Sequence, residues 1–159
     1  MGRVGLGSPS RGGLDGGSAR LPQPLTSFIG REQELAEARQ RLGRCRLLTL
    51  TGPGGSGKTR LCIELAAGVA GDYPDGMYFI RLAPVTDPRL VPSSIAQSVG
   101  LPDPSGRPLV EHLAHHLRNR TLLLVLDNFE HLLSAASVVT ELLAGTRGLR
   151  IVVPRLSFR

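Results

Sequence analysis

The stretch TLTGPGGSGKTRL, Thr49 to Leu61, holds Lys58, the only lysine of the chain; the other eighteen basic residues are arginine. An apolar run, Arg46 to Thr51, enters a glycine cluster, and a helically periodic stretch, Thr59 to Ala70, leaves it. Strand, glycine loop and helix therefore follow one another without a break. Between them, Gly52-Pro53-Gly54-Gly55-Ser56-Gly57-Lys58-Thr59 fills the pattern G-x-x-x-x-G-K-[ST] in full.

Each residue type in that pattern has a physical reason. Glycines let the backbone curl so that N–H groups converge on phosphate oxygens. The helix that follows presents its positive N-terminus to the same anion. The Lys58 ammonium is a compact point charge able to reach the β- and γ-phosphates, where a planar Arg fork asks for bidentate geometry. The Thr59 hydroxyl is a candidate Mg²⁺ ligand. Gly52 to Thr59, with Arg60 following, are thus the candidate phosphate-binding residues, and a chance match is rare in a chain of this composition.

Working outward, Arg31 to Arg41 reads as a helix stopped by Gly43. Met77 to Leu82 reads as a strand. Asp87 caps a helix with Pro88 in its first turn, running to Gly100. Pro108 to Asn119 is a further helix. TLLLVLD, Thr121 to Asp127, is a continuous apolar run, the mark of a strand buried on both faces of a parallel sheet. Glu130 to Gly145 is helical, and Leu149 to Val153 is a fourth strand. The alternation gives an α/β fold with a parallel sheet. Residues 1–23, rich in Gly, Ser, Pro and Arg, read as a disordered leader ahead of a nucleotide-binding domain over 24–153.

Composition agrees with this reading. The chain has 159 residues, 41% hydrophobic and 20% charged, with no Trp. No apolar run approaches the ~20 residues of a membrane span, and the first residues lack a signal-peptide core, so the expectation is a cytoplasmic protein without membrane contact. Cys45 and Cys62 form neither a disulfide framework nor a zinc pattern. The net charge of +6 divides as +4 over residues 1–46, −2 over 47–146 and +4 over 147–159. The basic excess sits at the ends, and with no recognition motif present the chain is not expected to contact DNA directly.

The buried run delivers Asp127 to the carboxyl edge of the sheet, opposite Thr59. There it either holds Mg²⁺ or caps the next helix. Many ATPases place a water-polarising Glu next; here the position is Asn128, which can orient a water but not take its proton. Glu130 stands as a substitute base or as a solvated first-turn acid. His112, His115 and His116 read as the flank of a helix rather than a metal site.

Four segments, SFIGREQEL, LTLTGPGGSGKTRL, LAPVTDPRLVPSSIAQSVGL and LLLVLDNFEHLLSAA, resemble the STAND class of P-loop ATPases, the NB-ARC-like modules of bacterial SARP- and LuxR-type transcription regulators. The resemblance implies a three-layer P-loop NTPase fold with strand order 5-1-4-3-2. It implies ATP or ADP with Mg²⁺ as cofactors, held by Lys58, Thr59 and Asp127, with Ile29, Gly30 and Arg31 beside the base and ribose. It also implies a switch in which ADP holds a closed form and ATP opens it for self-association or signalling.

The chain departs from that family after the fourth strand, where a T-S-R segment is expected; the Thr and Ser are absent, Pro154 occupies the first place and Arg155 arrives one residue early. Arg155 either reaches the site as a γ-phosphate sensor or lies on the surface. No fifth strand follows, so residues 154–159 read as a frayed or frame-altered tail, the whole as a truncated piece of a larger regulator, and the first strand as an open edge. The expectation is a nucleotide-binding switch with slow or absent hydrolysis. An active AAA-type hydrolase and a small-molecule P-loop kinase are the alternatives.

Overall fold

The computed structural model describes residues 30–102 and 106–156. Ile29 and the leader expected over 1–23 lie outside the described residues, as do positions 157–159. Helices α1 (Glu32–Arg44), α2 (Lys58–Gly68), α3 (Val91–Ser98), α4 (Leu109–Leu117) and α5 (Ala136–Gly145) and strands β1 (Leu47–Gly52), β2 (Met77–Arg81), β3 (Leu122–Asp127) and β4 (Leu149–Leu156) follow in the order α1-β1-α2-β2-α3-α4-β3-α5-β4. The strands form one parallel sheet in the order β1-β4-β3-β2. This is the expected order over the four strands among the described residues.

β3 explains the layering. Its six residues are all buried. Leu122, Leu124 and Leu126 join a core with α3, α4 and α5, while Leu123 and Val125 join a second core with α1 and α2. Alternate side chains thus feed opposite layers, which is why a strand of this kind is apolar throughout. β1 differs from the expected buried strand. β4 is its one neighbour among the described residues, and Leu47, Thr49 and Thr51 are exposed while Leu48 is buried.

Several boundaries move, each because of a distant partner. α1 passes through Gly43 to Arg44, and the Arg150 guanidinium, from β4, donates to the carbonyls of Leu42 and Cys45 at its end. Arg46 does the same for α5, donating to Leu143 and Thr146 at 2.7 and 2.6 Å. Cationic side chains at helix C-termini satisfy orphan carbonyls and favour the helix dipole. The helix after Asp127 begins as a 3₁₀ stretch, Phe129–Ala135, broken at Leu132, before α5 starts. The Asp87 cap is in place, accepting from the Arg89 amide at 2.9 Å, but the turn it opens is 3₁₀ and α3 begins only at Val91.

β4 also runs past Val153. Pro154 pairs with Leu50 and Arg155 with Thr51, so residues 154–156, read from sequence as tail, are strand. The β3–β4 ladder ends at Val125 and Val152. Beyond that point β4 has one neighbour among the described residues, and a residue lacking an N–H is tolerated.

Candidate functional site

The site forms where β1 and β3 end. Gly55 and Gly57 in the connecting loop have φ of 71° and 74°, left-handed values that side-chain-bearing residues avoid. Gly57 is the N-cap of α2, and no acidic residue occupies the first turn of that helix. The helix N-terminus is therefore not neutralised by its own sequence.

Lys58 folds its ammonium back over the loop. Nζ donates to the carbonyls of Gly52 at 2.9 Å and Pro53 at 2.6 Å and approaches Ser56 Oγ at 3.4 Å. On the far side, the Thr59 hydroxyl donates to Asp127 Oδ1 at 3.0 Å. Asp127 is 8% exposed. These groups share a cleft of about 420 Å³ lined by Gly55, Ser56, Gly57, Lys58, Thr59, Asp127, Asn128, Glu130 and Pro154. That volume suits a small-molecule site.

Asn128 has φ 59° and ψ 37° and is the non-glycine residue with positive φ among the described residues. Asn is among the residue types that reach this region at least cost. Asn128 and Glu130 both line the cleft.

Other candidates fall elsewhere. Arg60 lies in the first turn of α2 with Glu64 at 4.0 Å and does not line the cleft. Arg155 lines a separate groove with Leu47, Leu133, Val139 and Glu130. Glu130 is the residue common to both. Pro154, where the sensor segment is expected, forms cleft wall instead.

Gly30 is exposed with φ 88°. Arg31 donates from Nη1 to the Ser56 carbonyl and from Nε to Glu34 Oε1 at 3.0 Å. A second nitrogen, Nη2, pairs with the other Glu34 oxygen, and this carboxylate raises the guanidinium pKa further. No signal in the sequence marks the contact between Arg31 and the loop, which spans 25 positions.

His112 and His115 line a surface pocket on α4 with Arg107 and Arg118. Among the described residues no group of three His, Cys, Asp or Glu is placed to hold a metal, and no helix is long and apolar enough to cross a membrane. Mg²⁺ asks less of a protein, since it binds through one or two carboxylates, waters and substrate phosphates. The oxygens of Thr59 and Asp127 are a donor set of that kind.

Sheet order, and the place of the loop between β1 and α2, define a P-loop NTPase fold. Within it the chain belongs to the AAA domain family, which it matches over residues 40–153. It is 46% identical over 112 residues to a Mycobacterium tuberculosis protein named as an HTH-type transcriptional regulator, a match covering 70% of this chain and 12% of that protein. It is 40% identical over 117 residues to an uncharacterized Mycobacterium bovis protein, covering 74% and 30%. The regulatory protein AfsR of Streptomyces griseus is 28% identical over 148 residues, covering 85% and 15%. The chain thus spans a minor part of the curated relatives it matches. In fold it is similar to the Aeropyrum pernix ORC2 protein, solved as ADPNP–ADP complexes, with a TM-score of 0.59, 22% identity, and coverage of 82% of this chain and 42% of that one.

Proposed function

We propose that the chain is the ATP/ADP-binding switch domain of a signalling or transcription-regulator ATPase of the STAND, NB-ARC-like class. The observation that carries this is one cleft holding the loop, Lys58 and the Thr59–Asp127 pair. The phosphates lie on Gly52 to Thr59, with Arg60 behind them, and the Lys58 ammonium leaves its loop carbonyls for phosphate oxygens. Thr59 and Asp127 would hold Mg²⁺, which would supply charge neutralisation of the nucleotide's terminal phosphates. Gly30 is assigned to the base and ribose side. The relatives named as regulators support the signalling role. Self-association as its output, DNA contact left to other parts of a larger protein and a cytoplasmic setting are further parts of the proposal.

Hydrolysis is slow or absent in this reading. Asn128 cannot take a proton from water, and Arg155 lines a groove other than the cleft. Thermal unfolding with ADP, ATP and GTP, with and without Mg²⁺, tests the binding. Ligand at 100 times Kd adds about 2.7 kcal/mol to the wild type and nothing to Lys58→Ala. A folded wild type that no nucleotide stabilises rules the reading out.

The presence of Glu130 in the cleft wall favours a second reading, an active AAA-type hydrolase with Glu130 as base. Phosphate release of several turnovers per minute that Glu130→Gln abolishes would establish it.

A further inference from the structure

Resting on that nucleotide-binding reading, we infer that Arg31 is a positioning residue for the phosphate cradle, acting on the loop from behind and not on the base. Arg31 lines the pocket between α1 and β1, with Glu34, Glu37 and Arg41, and is absent from the cleft. Its Nη1 donates to the carbonyl of Ser56.

The peptide joining Ser56 to Gly57 is planar and trans, so its C=O and N–H point in opposite directions. Drawing the Ser56 carbonyl toward Arg31 turns the Gly57 amide away from Arg31. Gly57 lines the cleft and has φ of 74°, a state that glycine enters and leaves readily. Unrestrained, this peptide can flip and present a carbonyl where an anion needs a donor. Arg31 prevents the flip.

Glu34 keeps the guanidinium in place. It occupies Nε and Nη2 and leaves Nη1 for the loop. Arg31 is the N-cap of α1 and Glu34 lies in its first turn, and the buried Ala38 and Leu42 of that helix pack on the core that holds α2. The cradle is thus braced by the helix preceding its own strand.

The test separates a loop role from a base role by comparing ADP with inorganic tripolyphosphate, which has no base, by calorimetry without Mg²⁺. Arg31→Ala weakens both ligands by the same factor, about tenfold, as expected for loss of one charge-assisted hydrogen bond. Arg31→Lys, able to reach the same carbonyl with a cation, recovers part of the loss for both. Glu34→Gln weakens both by a smaller, equal factor. Amide exchange at Gly57 in the ligand-free state rises in Arg31→Ala. A loss confined to ADP, or no loss for either ligand in folded variants, overturns the inference while leaving the binding reading intact. If the wild type binds neither ligand, both fall.

Discussion

The Thr59 hydroxyl donates to Oδ1 of Asp127 across 3.0 Å, joining the first turn of α2 to the last residue of β3 over 68 positions of sequence. The pair offers a hydroxyl and a carboxylate oxygen side by side, a donor set of the kind that Mg²⁺ takes together with nucleotide phosphates. Asp127→Asn keeps the shape and the acceptor for Thr59 but removes the charge. ADP affinity without Mg²⁺ should stay within about threefold of wild type, or rise as a like charge leaves the polyphosphate. The gain that Mg²⁺ adds to ATP affinity should vanish. Titration calorimetry with and without the ion reads both, and a retained Mg²⁺ increment would remove Asp127 from the site.

Lys58→Arg keeps the charge and changes its shape. The ammonium sits 2.9 and 2.6 Å from two loop carbonyls, and a planar fork is wider and seeks two parallel partners. The variant should melt within a few degrees of wild type yet lose ADP affinity by about tenfold or more, close to the behaviour of Lys58→Ala. Binding at wild-type strength would show that charge alone suffices.

Asn128 occupies left-handed backbone, so its replacement carries a backbone cost. Asn128→Gly should be neutral or slightly stabilising. Asn128→Glu, which places an acid after Asp127, should destabilise by about 1 kcal/mol because a longer side chain is strained at this φ. Urea midpoints give the order Gly, Asn, Glu, and an Asn128→Glu variant as stable as wild type would contradict the backbone argument.

Burial pushes the Cys62 thiol up to about 12, with the Asp127 charge adding to the effect and Lys58 opposing it. The folded state holds this proton more tightly than the unfolded chain, whose thiol titrates near 9.0. The stability contributed is intact below pH 9 and is lost as pH rises from there toward 12. A thiol reagent at pH 8 should label Cys45 in the native protein, while Cys62 reacts only after unfolding. Native-state labelling of both at equal rates would refute the burial.

What the sequence revealed divides by range. The five-residue apolar run of β3, Leu122 to Leu126, announced burial on both faces, and the glycine pattern announced the loop, because each is written in consecutive residues. The end of α1 depends on Arg150, more than a hundred residues away, and no local signal could place it past Gly43. The 3₁₀ start after Asp127 follows from a left-handed Asn128 that the helical periodicity of Glu130 to Gly145 conceals. Pro154 looked like a terminus, yet it stands in strand because β3 has already stopped pairing there. The Arg31 contact with Ser56 depends on how α1 lies against the loop, a tertiary fact without a motif.

β1 carries the loop and, among the described residues, bonds to β4 alone. A strand held from one side opens locally at lower free energy than one held from two. The stiffness of the cradle is therefore borrowed from a single ladder, Leu47–Gly52 against Ile151–Leu156. Any chain that lies along the free side of β1 would double that ladder and slow the opening of the loop's anchor without touching the nucleotide. Widening the sheet and tightening the grip on phosphate would then be the same mechanical event.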